Sequence, residues 1–247
     1  MLNNFLVGCD PEFVAFAGNE LQNVSGTFSK SGPVGYDHRG FVLEVRPRPA
    51  IGTYALVKRI RKLFTEYNLK ELGWRYRAGA FLEIGDFKLA LGGHVHLDVP
   101  WDDMNAQLRT NALDELTKLL EAEDILPEKQ SAQRRARFAG DKYGAFSDVR
   151  AGGNTERMEY RTMASWLFHP VTAFVCLTGA KLCAAKPREA LQILKAKSIS
   201  KFFETFREDE NARRVIERLL NRNVPLQRDP EAEVLASWKS LAVLGGA

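Results

Sequence analysis

Long apolar runs are missing from this 247-residue chain. The longest, Val171 to Ala185, is interrupted by Lys181 and is too short to span a bilayer, so no membrane role is expected. Cysteine is scarce. Cys9, Cys176 and Cys183 are odd in number, and the latter two lie at helical spacing in an apolar stretch, which predicts buried free thiols and a cytoplasmic setting rather than a disulfide framework. The opening residues, MLNNFLVGCDPE, lack the basic start and apolar run of a secretory signal. No glycine-rich Walker or dinucleotide motif appears, which argues against those nucleotide folds. Repeats, low-complexity tracts and a convincing linker are absent too, so one domain is expected over residues 1–247, mainly helical from about 187.

What is present is the composition of a folded globule. With 45% hydrophobic and 27% charged residues, disorder is not the default. The formal charge of +4 and pI near 8.9 come from arginine and lysine spread through the chain, which suits anionic ligands without demanding nucleic acid.

The first third reads as strands and turns. NFLVG and EFVAF are strand-length runs on either side of Asp10-Pro11-Glu12, and GFVLEV is a third. Tyr54, Val57, Ile60, Phe64 and Tyr67 recur every three or four residues and predict a helix over 53–72, ended by Gly73, with Lys58, Arg59, Arg61 and Lys62 on a solvated face. Strands resume in WRYRAGAF and ALGGHVHLDV, where His94 and His96 share one face and the aliphatic residues the other. Asp102 and Asp103 are expected to open a helix running through Leu108 to Leu120. Residues 130–154, basic and glycine-bearing, read as loop around short strands, and a site is expected there. RMEYRT reads as a strand, His169-Pro170 as a helix start, and the chain from Pro187 as helical with a break at NRNVPLQRDP. Strands and helices without regular βαβ alternation indicate an α+β fold.

Four segments concentrate groups suited to metal and phosphate. In GCDPEF, Asp10 and Glu12 point to one side of an extended chain, although an Asp-Pro turn with a surface Glu is the plainer alternative. In FVLEVRPRP, Glu44 interrupts an apolar strand and shares a face with Arg46 and Arg48; a buried charge needs a partner, either a cation or an internal ion pair. In GGHVH, two imidazoles at i and i+2 can share a cation or divide between cation and substrate, and the glycines allow close approach of a ligand. In RMEYR, Glu159 offers a carboxylate beside the guanidinium of Arg161, or forms an exposed ion pair with it.

In this order, GCDPEF, FVLEVRPRP, GGHVHLD and MEYRTMASWL resemble the glutamine synthetase and glutamate-cysteine ligase superfamily, and within it the phage-associated type 2 amidoligases, from about Gly8 to the helix after Pro170. The resemblance implies a curved, mainly antiparallel sheet with helices on its convex side and ATP with two or three Mg2+ ions, or Mn2+, on its concave side. It implies an ATP-dependent carboxylate-amine ligase acting through an acyl phosphate, in the host cytoplasm if phage-encoded. Glu12, Asp10, Glu44, His94 and Glu159 would be metal ligands, with Asp37 a weaker candidate. His96 would stand nearer the carboxylate substrate, Arg161 and Arg150 beside the transferring phosphate, and Arg46 with them on the nucleotide. Neither the carboxylate nor the amine is named by these motifs, nucleic acid is not required, and the oligomeric state is open. Two rivals are weighed: a zinc hydrolase built on His94, His96 and a carboxylate, and a nucleic-acid-binding protein using Lys58 to Lys62 and Arg134 to Arg137.

Overall fold

The computed structural model describes residues 4–100, 102–151, 157–195, 198–220 and 234–238. In chain order its elements are β1 (Val7–Ala17), β2 (Glu20–Leu21), β3 (Val34–Asp37), β4 (Val42–Val45), α1 (Thr53–Glu66), β5 (Arg75–Arg77), β6 (Phe81–Ile84), β7 (Phe87–Ala90) and β8 (Gly93–Pro100). They continue with α2 (Ala106–Ala122), α3 (Glu128–Arg137), β9 (Val149–Ala151), β10 (Arg157–Tyr160), α4 (Pro170–Ala185), α5 (Pro187–Leu194), α6 (Ile199–Thr205), α7 (Glu210–Leu220) and α8 (Val234–Ser237). The fold is α+β, and every strand pairing in it is antiparallel.

The main sheet runs β3-β4-β1-β8-β10-β9, with β2 and β5 added to the far end of β1, and β6 and β7 form a separate hairpin. Because strand side chains alternate, the two faces differ in kind. Val7, Cys9, Phe13 and Ala15 of β1, Leu43 and Val45 of β4, Val95 and Leu97 of β8, and Met158 and Tyr160 of β10 join the large apolar core shared with the helices. The opposite face carries Asp10, Glu12, Glu44, His94, His96 and Glu159. Beyond them Val14, Phe16 and Val42 pack against Leu89 and Leu91 in a second, smaller cluster. The helices thus cover the apolar face, with α4 lying against α1, α2, α5, α7 and β8. Helix α4 is buried almost all round, as its apolar sequence requires, and it holds Cys176 and Cys183 as buried free thiols.

Several local expectations are corrected. β1 is one strand, not two around a turn. Pro11, which has no N–H to donate, stands where pairing with β8 ends and pairing with β4 begins, so the strand passes through it. The first helix stops at Glu66 instead of 72, because Asn68 adopts a left-handed conformation (φ 49°) and a short 3-10 turn, Leu69–Leu72, follows, burying Leu69 before Gly73. Helix α2 opens at Ala106, not at the acidic pair; Asp103 instead accepts from the Asn105 N–H (2.9 Å) and pairs with Arg109 (2.6 Å) in the preceding turn. Residues expected as loop form α3, because Arg134 turns inward and is fully buried, donating to the carbonyls of Leu91 (2.8 Å), Met163 (3.2 Å) and Thr162. The predicted break at NRNVPLQRDP lies outside the described residues.

Gly93 serves the protein's own close packing. A Cβ on Gly93 would meet the carbonyl oxygen of Ala164 and would stand 2.5 Å from the Trp166 ring, whose Nε1 donates to the Gly93 carbonyl (3.1 Å). Gly93→Ala is therefore expected to cost about 1–3 kcal/mol, as overpacking does, read as a lower denaturation midpoint; an unchanged midpoint would mean this contact is not close.

Candidate active site

Strand register brings the four sequence segments together. Glu12 stands opposite Glu44 on β4, Asp10 opposite His94 on β8, and Glu159 opposite both His96 on β8 and Arg150 on β9. All point to the face opposite the large apolar core. Glu12 (5% exposed), Glu44 (6%), His94 (4%) and Glu159 (2%) are buried there without being in the apolar core. A cavity of about 500 Å³ opens over them, lined among others by Asp10, Glu12, Asp37, Glu44, Arg46, His94, Tyr143, Arg150 and Arg161.

Two trios have the spacing of cation sites. Oxygen atoms of Glu12, Asp37 and Glu44 lie within 4.8 Å of one another, as do ligand atoms of Asp10, His96 and Glu159. His96 Nε2 is 2.9 Å from Asp10 Oδ1. His94 belongs to neither trio; its Nδ1 lies 3.4 Å from Asp10 Oδ1 and its Nε2 3.0 Å from the Tyr143 hydroxyl. The Glu12 carboxylate is fixed from behind, its Oε2 accepting from the Gly92 N–H (2.5 Å) and from Tyr143 (2.8 Å).

Arginines flank this acidic floor at both ends. Arg150 meets Glu159 through two contacts of 2.9 Å, yet its side chain is 57% exposed and can swing. Arg161 lies 3.5 Å from Glu159 and 3.7 Å from Asp148, with its guanidinium over the Tyr143 ring. Glu159 Oε1 has charged neighbours but no hydrogen bond of good geometry, which is unusual for a buried carboxylate oxygen. Arg46 pairs with Glu44 and donates to the carbonyls of Lys30 and Gly32 (3.1 Å each), so the internal ion pair weighed from sequence is present. Arg48, like Arg46, lies beyond the end of β4, and it is exposed.

A family model described as phage phiEco32-like COOH.NH2 ligase-type 2 matches residues 7–228. The chain belongs to this carboxylate-amine ligase family. No curated protein matches the ligase. Among solved structures, one titled "Crystal structure of novel glutamine synthase homolog" aligns over 97% of the ligase and 68% of its own chain, with 14% identity and a TM-score of 0.45. No helix among the ligase's described residues is long and apolar enough to cross a membrane.

Sequence reasoning missed Tyr143, Arg134 and Asp148. The loop holding the ligase's Tyr143 reads as a place for a site, but nothing in GDKYGAF distinguishes this tyrosine from a surface one. The basic run 134–137 also changes meaning, since Arg134 braces the site from inside and cannot contribute to an exposed cationic face.

Charge crowding is the ligase site's main electrostatic feature. Burial raises the Glu44 carboxyl, and the negative charge of Glu12 adds to it against the pull of Arg46, bringing its pKa to about 7. Burial also raises Glu12, opposed by His94, the Gly92 N–H and Tyr143. For His94, burial works downward, but Glu12 and Asp10 overcome it and lift the imidazole to about 9. Burial would raise Asp10 too, yet His94 and His96 hold it well below the usual carboxylate range.

A pH dependence of stability follows for the ligase without divalent cations. Glu44, raised from 4.5 to about 7, contributes stability present below pH 4.5 and lost as pH rises through 7, on the order of 3 kcal/mol. His94, raised from 6.5 to about 9, contributes stability lost between those values, in the same direction. Asp10, lowered, contributes stability lost only as pH falls below 3.8. Denaturant titration in EDTA is expected to give a clearly higher unfolding free energy at pH 5 than at pH 8.5. Equal stabilities would contradict the crowding.

Proposed function

We propose that this ligase joins a carboxylate to an amine by phosphorylating the carboxylate with ATP, and that residues 1–247 form one catalytic domain for it. The observation that carries the proposal is the pair of acidic trios lying side by side between arginines on one sheet face. Their donors are five carboxylates and one imidazole, hard ligands that suit Mg2+ or Mn2+ and offer no thiolate. Crowded carboxylates with a raised pKa fit a cation that would relieve them.

Asp10, His96 and Glu159 would hold one ion and Glu12, Asp37 and Glu44 the other. Relative to the resemblance, this arrangement favours exchanging the two histidines, because both ring nitrogens of His94 already face protein partners. Bound cations would neutralise the phosphates of ATP and lower the repulsion an attacking carboxylate meets. A carboxylate oxygen attacks the terminal phosphorus and ADP leaves; the amine then attacks the acyl carbon, loses its proton and releases phosphate. Arg161, Arg150 and Arg46 would bind the phosphoryl oxygens, with Arg150 free enough to follow them. A zinc hydrolase is less well supported, since it would need His94 and His96 as joint ligands.

A hydroxylamine trap tests the activity. Incubated with Mg-ATP, hydroxylamine and a panel of carboxylic acids, the ligase is expected to release ADP and form a hydroxamate with the acids it accepts. Acid-independent hydrolysis of esters or amides that needs zinc and no ATP would refute the proposal.

A further inference from the structure

Tyr143 lies between the two trios and touches a partner of each. Its hydroxyl donates to Glu12 Oε2 at 2.8 Å and lies 3.0 Å from His94 Nε2, while His94 Nδ1 is 3.4 Å from Asp10 Oδ1. A chain of polar contacts therefore runs Glu12, Tyr143, His94, Asp10, from a member of one trio to a member of the other. The hydroxyl has a single proton, and Glu12 takes it, so His94 Nε2 must be the donor to Tyr143. The ring is held independently of these bonds: it stands edge-on to His94 and to Phe138, and beneath the guanidinium of Arg161 at 4.7 Å.

We infer that Tyr143 is a positioning residue for divalent cations: it fixes the Glu12 carboxylate for the trio with Asp37 and Glu44 and, through His94, ties that trio to the one containing Asp10. The inference rests on the proposal that the trios bind cations. With Oε2 occupied by Tyr143 and the Gly92 N–H, Glu12 is held in one rotamer and presents its carboxylate to the cavity already oriented. Partners of this kind commonly govern metal affinity by about 10- to 100-fold. His94 acts in the same chain as an orienting group, since neither of its nitrogens faces the cavity without a protein partner. Nothing about the role depends on the identity of the carboxylate or the amine.

The test is Mn2+ binding to the full chain, followed by the electron paramagnetic resonance signal of the free ion. The wild-type protein is expected to bind two Mn2+. Tyr143→Phe, which keeps the ring under Arg161, is expected to weaken at least one site by about 10- to 100-fold with the thermal midpoint nearly kept. A merely structural tyrosine would shift the midpoint and leave the affinity alone. If the variant proves less stable, a double-mutant cycle with Glu12→Gln decides: removing the hydroxyl should have little further effect once Glu12 is neutral. Wild-type affinity in Tyr143→Phe, or full additivity with Glu12→Gln, overturns the inference while the cation sites stand. A wild-type protein that binds no Mn2+ overturns the proposed function itself, and this inference with it.

Discussion

Glu159→Ala is expected to lower ATP-dependent turnover by at least about 100-fold while the protein stays folded. Glu159 is 2% exposed, belongs to the trio with Asp10 and His96, and is the anion on which both Arg150 and Arg161 converge. Its loss would remove a cation ligand and release two guanidiniums from their set positions, and removing one such electrostatic group commonly costs 100- to 1,000-fold in rate. The fold should survive, because Arg150 is already more than half exposed and can turn to water, and Arg161 keeps Asp148 at 3.7 Å. Glu159→Gln separates charge from shape: it should be nearly as inactive and more stable than the alanine variant. Steady-state ADP release and a thermal melt on the same samples check both halves, and full activity in Glu159→Ala would rule out the site.

The largest loss of stability is expected from Arg134→Met. The wild-type guanidinium is fully buried and donates through its two terminal nitrogens to the carbonyls of Leu91, Thr162 and Met163, joining the segment before β8 to the segment after β10. Methionine fills similar space but leaves the Leu91 and Thr162 carbonyls without donors, at about 1–3 kcal/mol each, while Met163 keeps the Gly93 N–H; the loss is partly offset because a buried cation is also removed. A net loss of roughly 3 kcal/mol would lower the melting temperature by about 6–12 °C in a chain of this size. Tyr143, which packs near the same guanidinium, should loosen as well, so cation affinity should fall alongside stability. A melt within a degree or two of wild type would show that those carbonyls find other partners.

The fold was legible where alternation or helical period was strong. The β8 segment, with Val95 and Leu97 against His94 and His96, and the apolar helix α4 after His169-Pro170 are where the pattern put them, because burial of one face decided them. Pro11 misled, since a proline is tolerated in a strand where the pairing changes sides and no pattern announces such a point. Helix α3 misled for a related reason: its buried face rests on an arginine and a serine, not on apolar residues, so its hydrophobic period was silent. The convergence of Glu12, Glu44, His94 and Glu159 was implied by the family resemblance of their four segments taken in order; each carboxylate or imidazole in its apolar strand left an ordinary ion pair or core residue as an alternative. Tyr143 was not, because a tyrosine in a turn-rich loop carries no sign of what its hydroxyl will meet. Asp37 was only a weak candidate, and its place beside Glu12 and Glu44 depends on the β3–β4 pairing rather than on any motif.

The central claim is that two acidic trios on one sheet face hold divalent cations under a triphosphate. An experimental structure with Mg2+ and a non-hydrolysable ATP analogue tests it most directly. It is expected to show one ion among Asp10, His96 and Glu159, a second among Glu12, Asp37 and Glu44, and the terminal phosphate between them within reach of Arg161. Nucleotide bound elsewhere, or both trios without a cation at saturating magnesium, would contradict it.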